Sequence, residues 1–398
     1  MQDSYASLGK PVCPAQYAMQ FALTEEQQAI VDMAERFTAD EITPQAAHWD
    51  EHHVFPLETL HKAAALGFGG IYVNEEHGGS GLTRVEAALV MEALAYGCPS
   101  TSAFISIHNM ATWMIDAFGH DALRAKYLPA LTQMDLIASY CLTEPGAGSD
   151  AASLKTSATL DGDHYVINGG KAFISGGGVN DIYLVMASTD PSKKARGISC
   201  FVVEKDTSGL SFGKPEKKLG WHSQPTAAVL FDEVRVPAEN MIGAPGDGFK
   251  IAMRGLDGGR INIGACSLGG AQRCLDDAVE YVKARNQFGQ RIADFQNTQF
   301  MLADMRTQLE AARALLYIGA SKVSENASDK TQWAAMAKLM ATETGSKVVN
   351  DALQLHGGYG FLMDFPAERF LRDLRVHEIL EGTSQIMRHV IGRDLVSD

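Results

Sequence analysis

The sequence predicts an α+β protein in which two helical regions flank a β region. Three observations support this class. Helical periodicity dominates from about residue 24 to 135, short β-branched and aromatic segments follow to about 240, and longer helical segments return from 246. We therefore expect a loose N-terminal tail (1–20), an N-terminal helical domain (21–135), a middle antiparallel β domain (136–245) and a C-terminal helical bundle (246–398).

Composition narrows the class of protein further. The 398 residues suffice for two or three domains, and a charged fraction of 21% is ordinary for a globular chain. The net charge of −14 argues against nucleic acid as the main partner. No apolar run approaches the ~18 residues that a membrane span needs, so we expect no membrane insertion.

Cysteine usage and the N-terminus bear on the compartment. The 6 cysteines contain no Cys-x-x-Cys pair, which is typical of reduced, intracellular thiols. The first twenty residues lack the long apolar core of a signal peptide and the arginines of a transit peptide. This favours the cytoplasm of a bacterium, with the mitochondrial matrix as the expectation for a eukaryotic source.

The N-terminal helical domain carries recognisable helix ends. Thr24 with Gln27 three residues later matches a capping box ahead of an apolar helix face. Pro56 opens the segment "PLETLHKAAALG" and Gly67 closes it. The turns "FGG" and "HGGSG" separate the helices of this region.

The middle and C-terminal regions differ in their periodicity. Segments such as "HYVING", "DIYLVMAS" and "AAVLFDEVRV" are short and alternate with turn signals, which predicts antiparallel strands. Long helical segments follow, including "SLGGAQRCLDDAVEYVKAR" and "TQWAAMAKLMATETGSKVVNDALQLHGG". Helices of this length predict a bundle.

The loop "TEPGAGSD" (143–150) is the first candidate binding segment. Its glycines superficially satisfy G-x-G-x-x-A, but hairpins follow where a dinucleotide fold needs a long helix, so we reject that fold. What remains is a loop rich in hydroxyls and backbone N–H groups after a strand, which could cradle a polar ligand. A plain β-turn explains it equally well.

For each of two further segments taken alone, a structural role explains the sequence better than a functional one. "KAFISGGG" (171–178) could cover a flat heterocycle with Phe173, or be a hairpin with a core phenylalanine. "KARNQFGQ" (283–290) could bind a diphosphate or adenine through Arg285 and Phe288, or be an ordinary helix C-cap.

One arginine and a pair of histidines each allow a functional and a structural role. Arg260 in "LDGGRINIG" follows two glycines at an expected helix start. It is either a structural ion-pair partner or a pocket residue. His48 and His52 lie four residues apart, but a metal site needs a third ligand. We expect a solvated helix face there and no metal.

The segment "RVHEILEGTSQIMRHVIG" (375–392) places Glu381 directly before Gly382 and Thr383 within a helical pattern. The carboxylate is either solvated before a chain break or held at a helix interruption as a base. Together with the glycine-opened loops, the aromatic cover and one arginine, it suggests a pocket between the β domain and the bundle. Such a pocket suits a large cofactor and an acid–base step.

Three motifs resemble the acyl-CoA dehydrogenase family: "YCLTEPGAGSD", "LQLHGGYGF" and "ILEGTSQI", in this order over about residues 21 to 398. The resemblance implies a helical, β and four-helix-bundle architecture, a homotetramer, and one FAD per subunit between the β domain and the bundle. It also implies removal of an α-proton from an acyl-CoA, hydride transfer from the β-carbon to FAD, and electron-transferring flavoprotein as the acceptor.

The resemblance also assigns roles residue by residue. Glu381 matches the catalytic base, and no glutamate stands in the 257–260 segment, where some relatives place theirs. The resemblance places Thr143 near the flavin ring and gives Ser175 a hydrogen bond near N5 of the flavin. Arg285, Phe288, Phe295 and Gln296 act across a subunit contact. The implied FAD residues are Tyr140, Cys141, Leu142, Thr143, Gly148, Ser149, Phe173, Ile174, Ser175, Arg285, Phe288, Phe295, Gln296, Gln354, Leu355, His356, Gly357, Gly358, Thr383, Ser384 and Gln385. The implied acyl-CoA residues are Ser149, Asp257, Gly258, Gly259, Arg260 and Arg393.

The substrate expectation rests on Leu380, which precedes the base where several straight-chain relatives have Tyr. A smaller side chain there gives room for a short, α-branched acyl group, so we expect isobutyryl-CoA to be converted to methacrylyl-CoA. Butyryl-CoA or 2-methylbutyryl-CoA is the alternative, because one methylene changes selectivity only ~10–200-fold. A non-catalytic scaffold of the same fold is the remote alternative.

Overall fold

The computed structural model describes residues 23–396, so the tail expected for residues 1–20 lies outside the described part. The capping box at Thr24 and Gln27 is present, and each residue's side chain bonds the other's backbone N–H. Six helices follow before the sheet. They are α1 (Glu25–Phe37), α2 (Ala46–His52), α3 (Leu57–Ala65), α4 (Arg84–Gly97), α5 (Pro99–Phe118) and α6 (Asp121–Thr132).

Helix α5 is the central helix of this region. Most of its residues are buried, because it packs against α4, the sheet and the C-terminal helices. Buried polar side chains anchor it: Asn109 accepts from the Ile71 backbone N–H and donates to the Phe68 carbonyl. Helix α5 thereby brings Ile107 and Met110 to the boundary between the domains.

The middle region is one twisted sheet in the order β6-β7-β3-β2-β4-β5-β8, with β1 on β4. Strands β4 and β5 are buried on both faces: one face packs against helices and the other against residues of β3 and β7. The strands are β1 (Ala138–Cys141), β2 (Ser157–Asp161), β3 (His164–Ser175), β4 (Ile182–Ser188), β5 (Ile198–Glu204), β6 (Leu210–Phe212), β7 (Thr226–Pro237) and β8 (Met241–Ile242).

Most pairings in the sheet are antiparallel, as expected, but β1 pairs with β4 in parallel, with Ala138 opposite Ile182. Strand β1 follows directly after the helical domain. The chain forms β2 and β3 before it returns as β4, and this long connection allows β4 to pair with β1 in parallel, which a hairpin cannot supply. The end of β1 therefore lies beside the bundle, where the "TEPGAGSD" loop begins.

The C-terminal region consists of long helices around a buried axis. Helices α8 and α9 pack on α7, and α10 and α11 pack on α9. A short hairpin follows α7. The elements are α7 (Gly248–Ala284), β9 (Asn286–Gln287), β10 (Gln290–Arg291), α8 (Gln296–Ser324), α9 (Lys330–His356), α10 (Ala367–Arg375) and α11 (Ser384–Val396).

Helix α7 corrects one expectation about this region. It begins at Gly248 and has 37 residues, so "LDGGRINIG" lies well inside the helix and not at its start. Its glycines are tolerated because neighbouring chains approach too closely for a side chain. A Cβ at Gly269 would lie 2.0 Å from the Glu92 carbonyl, and one at Gly264 would lie 2.6 Å from Leu316 Cδ1. Close packing offsets the helix penalty of glycine, about 1 kcal/mol each.

Within residues 23–396, no helix combines the length and the apolar character needed to cross a membrane.

Candidate active site

A cavity of about 830 Å³ lies where the three regions meet. Its walls are the ends of β1 and β3, the middle of α5, one face of α7, the 216–221 loop and the 375–383 turn. Cavities of this size and apolar character bind cofactors and other organic ligands.

Glu381 projects from a break between two helical segments. The 3-10 turn Val376–Glu378 ends before it and α11 begins after it, at Ser384. Glu381 has φ 53° and Gly382 has φ 98°. A non-glycine residue in the left-handed region is strained, typically by 1–3 kcal/mol, and such strain clusters at functional sites. The break therefore turns the carboxylate into the cavity instead of along a helix surface.

Helix α7 leaves room for this carboxylate. A Cβ added at Gly259 would lie 2.2 Å from Oε2 of Glu381. The Glu381 side chain therefore lies directly against the backbone of α7. Oε2 is buried and has no hydrogen-bond partner anywhere in residues 23–396. A buried, unpartnered carboxylate oxygen is costly unless a ligand uses it.

The electrostatic surroundings of Glu381 suit a base near neutral pH. Burial raises its pKa to about 7, and the charges of Lys338 and Arg260 oppose that rise. Arg260 does not pair with the carboxylate. Its Nη1 lies 3.0 Å from Asp257 Oδ1, and its Nε donates to the Glu381 carbonyl at 3.3 Å. Perturbed carboxylates of this kind are candidates for general bases.

The loop after β1 is held by a buried ion pair. Lys171 Nζ donates to Glu144 Oε1 at 2.8 Å and to the Leu142 carbonyl at 3.1 Å, and its side chain is fully buried. Glu144 also accepts from the backbone N–H groups of Lys155 and Thr156. The loop is thereby tied to β3 and presents Thr143 and its glycines to the cavity.

A bulge in β3 exposes Phe173. The register with β7 shifts between Lys171 and Ile174, and Phe173 has φ 60° and is 67% exposed. Bulges re-aim side chains next to binding sites. Phe173 is therefore not a core residue of the hairpin but lies at the cavity, with Ser175 beside it.

Eleven of the 27 residues expected at the site line the cavity. On the FAD side they are Tyr140, Leu142, Thr143, Gly148, Ser149, Phe173, Ile174, Ser175 and Thr383. Glu381 and Arg260 line it as well. These residues come from separate parts of the chain, and the fold brings them together.

Other expected residues lie elsewhere in this chain. Cys141 is buried in the core of the sheet. Ser384 is buried next to the turn, and Gln385 and Arg393 are exposed on α11. Arg285, Phe288, Phe295, Gln296, Gln354, Leu355, His356, Gly357 and Gly358 do not line the cavity.

Two of those segments nonetheless meet each other. Arg285 lies over the ring of Tyr359 at 5.7 Å, and Tyr281 packs against His356 with ring centroids 4.6 Å apart. The hairpin tip carries Phe288, which is 94% exposed, with Gly289 after it. The hairpin and the 357–361 turn therefore form one surface that the cavity of the same chain does not use.

Asp257 lines a second, smaller cavity, and Gly258 lies against Arg84, which also lines it. This cavity measures about 280 Å³ and is lined by Asp257, Arg84, Arg254 and Lys330, among others. A Cβ at Gly258 would lie 2.5 Å from Arg84 Nη1. Asp257 pairs with Arg260 and accepts from Thr331 at 2.8 Å. The second cavity lies on an adjacent face of α7, since Arg254 and Asp257 are about 60–100° around the helix from Met253 and Arg260.

Sequence reasoning missed several cavity residues. Trp221 and Lys218 come from the 216–221 loop, and Phe249 and Met253 from the first turns of α7. The loop has no regular periodicity that would single it out. Ile107 on α5 has helical spacing to Met110, which is equally typical of a core residue.

His48 and His52 have edge-to-face rings 4.6 Å apart. In the part of the chain that the structure describes, no group of three His, Cys, Asp or Glu side chains could hold a metal ion.

Comparison with known proteins follows the same three-part division. The chain matches the acyl-CoA dehydrogenase N-terminal domain over residues 24–135, the middle domain over 139–234 and the C-terminal domain over 246–396. It is 55% identical to a mitochondrial isobutyryl-CoA dehydrogenase of Dictyostelium discoideum, over 94% of this chain and 90% of the relative.

Two solved structures share the whole fold. Butyryl-CoA dehydrogenase from Megasphaera elsdenii has a TM-score of 0.92 and 40% identity, and the match covers 95% of this chain and 100% of that one. An FAD complex of a protein named PigA has a TM-score of 0.92 and 32% identity, over 95% and 99%. The order of the domains, the cavity between them and these similarities agree, and the chain belongs to the acyl-CoA dehydrogenase family of oxidoreductases.

Proposed function

We propose that the protein is an FAD-dependent dehydrogenase that converts isobutyryl-CoA to methacrylyl-CoA and passes the electrons to electron-transferring flavoprotein. The observation that carries the proposal is the carboxylate of Glu381. Its Oε2 is buried and has no hydrogen-bond partner within residues 23–396, and a strained turn directs the side chain into a large cavity. The substrate assignment is supported by the 55% identity to an isobutyryl-CoA dehydrogenase.

The residues of the cavity fit FAD. Tyr140 Oη and Trp221 Nε1 line the cavity region and are buried without a hydrogen-bond partner in residues 23–396. Such groups are normally satisfied by a ligand or by water. A Cβ at Gly148 would meet no atom within 4 Å, so the loop leaves open space on the cavity side. Thr143, Ser149 and Ser175 would hold the flavin there.

In the reaction we propose, Glu381 accepts the α-proton of the thioester. FAD held in the cavity would supply the acceptor for the hydride that leaves the β-carbon. A positioned base contributes roughly 10²–10⁴-fold to the rate. Arg260 keeps the Glu381 backbone in place by donating a hydrogen bond to the Glu381 carbonyl, and it does not form an ion pair with the carboxylate. Leu256, Met110 and the other apolar cavity residues exclude water, which strengthens every charge interaction in the site.

The residues away from the cavity serve a neighbouring subunit in this proposal. The protein is a homotetramer in which Arg285, Phe288, Phe295 and Gln296 reach the FAD of another chain, and residues 354–358 complete that contact. The exposed apolar run Tyr359, Phe361, Leu362 and Met363, together with the exposed Phe288 (94%), supports this arrangement, because contiguous exposed apolar surface marks interaction sites. We also propose that Asp257 and Arg393 lie near the CoA part of the substrate. The compartment is the cytoplasm for a bacterial source and the mitochondrial matrix for a eukaryotic one.

An anaerobic titration tests the activity. The purified protein is mixed with isobutyryl-CoA, butyryl-CoA or 2-methylbutyryl-CoA, and flavin absorbance is followed. Isobutyryl-CoA should bleach the flavin with the highest kcat/KM. Preference for butyryl-CoA would instead favour the second candidate, which the 40% identity to a butyryl-CoA dehydrogenase supports. A protein that cannot be loaded with FAD would overturn the proposal.

The variant Glu381→Gln tests the base. It should bind FAD and acyl-CoA but reduce the flavin ~10²–10⁴-fold more slowly, because the amide cannot accept the proton. Glu378→Gln is the matched control, since Glu378 lies three residues earlier, pairs with Arg375 and does not itself line the cavity. Reduction of Glu381→Gln at the wild-type rate would refute the assignment.

A further inference from the structure

Lys338 is a buried lysine that neither the cavity nor the proposed reaction uses directly. It lies in the middle of α9, its side chain is fully buried, and it does not line the main cavity. Burying an ammonium group is costly unless a partner stabilises it. Its Nζ donates to the carbonyl of Gly382 at 2.6 Å, which connects it to the turn that carries Glu381.

Two buried cations bind two consecutive carbonyls of this turn. Arg260 from α7 donates to the Glu381 carbonyl at 3.3 Å, and Lys338 from α9 donates to the Gly382 carbonyl at 2.6 Å. Both residues that own these carbonyls have positive φ, which glycine tolerates at 382 but which strains the backbone at Glu381, so the turn needs external restraint. The two helices thus hold the turn from two sides.

Neither cation forms a hydrogen bond with Oε2 of Glu381. The hydrogen bonds of Arg260 and Lys338 go to the Glu381 and Gly382 carbonyls and to Asp257, and Oε2 has no partner within residues 23–396. The carboxylate therefore lies in the field of two positive charges but stays available to accept a proton. A direct ion pair would make the carboxylate a weaker base, because it stabilises the charged form more strongly.

We propose that Lys338 is a positioning residue for the dehydrogenation, which fixes the Glu381–Gly382 turn through the Gly382 carbonyl and keeps the Glu381 carboxylate ionised through its charge. The inference rests on the proposed function of Glu381 as the base. It concerns a residue 44 positions away from Gly382 in the sequence, on a different helix, that does not touch the substrate.

Several ionisable groups besides Lys338 surround the base. Burial raises the pKa of Glu381, and the opposing charges are Lys338 first and Arg260 second. Burial lowers the pKa of Lys338 to about 8, so it is largely charged at neutral pH. The further titratable or charged groups that interact with Glu381 or Lys338 are Tyr72, Tyr140, Cys266, Glu343, Glu378 and His377. Among the cations of residues 23–396 that act on Glu381, only Arg260 could replace Lys338, and it is engaged by Asp257.

Three variants at this position change the charge and the hydrogen-bond donor of Lys338. Lys338→Met removes the charge and the donor, Lys338→Gln removes the charge but retains a donor, and Lys338→Arg retains both. If the Met variant fails to fold, the Gln variant still tests the charge. Flavin content, circular dichroism and the thermal midpoint establish that each variant is folded.

The decisive measurement is the titration of Glu381 in the purified holoenzyme without substrate. Infrared difference spectra recorded against pH follow the carboxyl band, which Glu381→Gln identifies by its loss. The Met and Gln variants should titrate at a pH higher than wild type by about one unit, and the Arg variant close to wild type, since an opposite charge shifts a carboxyl pKa by about 1–3 units. The pH profile of flavin reduction by isobutyryl-CoA should move in the same direction.

Two results would separate this inference from the proposed function. If folded Met and Gln variants titrate Glu381 at the wild-type pH, the charge of Lys338 does not act on the base and the inference is wrong. If no acyl-CoA bleaches wild-type flavin while the Glu381 titration still moves in the Met variant, the proposed function fails and the placement of the charge stands.

Discussion

Gly259 lies directly against the carboxylate of Glu381: a Cβ at position 259 would come within 2.2 Å of Oε2. The contact joins the middle of α7 to a turn more than a hundred residues later in the chain. It explains why a glycine occupies a helix interior, where it costs about 1 kcal/mol relative to alanine. The position of the base is therefore set in part by the absence of a side chain.

The variant Gly259→Ala tests this contact. The clash falls on the end of a flexible side chain, so the carboxylate should move while the helix stays folded. We expect flavin reduction to slow by about 10–100-fold, because small misplacements near reacting atoms cost up to ~10² in rate. Stopped-flow absorbance with saturating acyl-CoA measures this rate.

Gly264→Ala is the control for that experiment. Its Cβ would meet Leu316 Cδ1 at 2.6 Å, further along α7 and away from the carboxylate. It should lower the thermal midpoint with little change in the reduction rate of the folded protein. Equal losses of rate in the two variants would mean that distortion of α7 and not displacement of Glu381 is responsible.

Local sequence signals predicted the parts of the fold that depend on neighbouring residues. The Thr24–Gln27 capping box needs only four residues, and the interruption at Glu381 follows from the adjacent Gly382. Helix α7 was harder, because its glycines are compatible with a helix only through contacts with distant segments. Those contacts exist only in the folded chain, so the expected helix start was wrong.

The candidate site shows the same limit. Thr143 and Glu381 were predicted from motifs and line the cavity. Lys338 looked like any polar residue of a long helix, because its partner Gly382 is 44 residues away. Phe173 could have been a core residue until the bulge in β3 exposed it. Motifs identify groups that act locally, whereas groups that act across helices require the structure.

Stability should depend on pH through Glu381. Its pKa in the folded protein is raised by burial to about 7 from an ordinary value of 4.5. A raised pKa means that the stability contributed by the protonated carboxyl is lost as pH rises from near 4.5 through 7. Replacing Glu381 by Gln removes this loss. The stability gap between Glu381→Gln and wild type should therefore widen from pH 5 to pH 8, by roughly 2 kcal/mol.

Thermal midpoints of the two proteins at pH 5 and pH 8, at equal FAD content, measure that gap. Glu378→Gln serves as the control for the substitution itself, since Glu378 lies in the preceding turn and does not line the cavity. A constant difference between Glu381→Gln and wild type at both pH values would show that the buried carboxyl is not the group that titrates.

Lys171 and Glu144 should control cofactor retention. Removing one partner of a buried pair leaves the other charge uncompensated, at a cost of about 3–5 kcal/mol. Lys171→Met should therefore loosen the loop that presents Thr143, and the protein should lose flavin and unfold at a lower temperature. Lys155→Met is the control, because the side chain of Lys155 is exposed and only its backbone N–H bonds Glu144. Full flavin content in the folded Lys171→Met protein would contradict this role of the ion pair.

Phe288 tests whether the hairpin after α7 serves a neighbouring subunit. Its side chain is 94% exposed at the tip, and Phe295 packs edge-to-face against it with centroids 6.4 Å apart. Phe288→Ser removes apolar surface from the proposed interface without disturbing a core. Light scattering coupled to gel filtration should show a smaller assembly or earlier dissociation on dilution, and flavin should be lost in parallel, because the same hairpin would hold FAD across the contact. Leu160→Ser, a comparably exposed change on β2 (58%), should alter neither quantity. A Phe288→Ser protein that keeps wild-type mass and flavin would separate the hairpin from both assembly and cofactor binding.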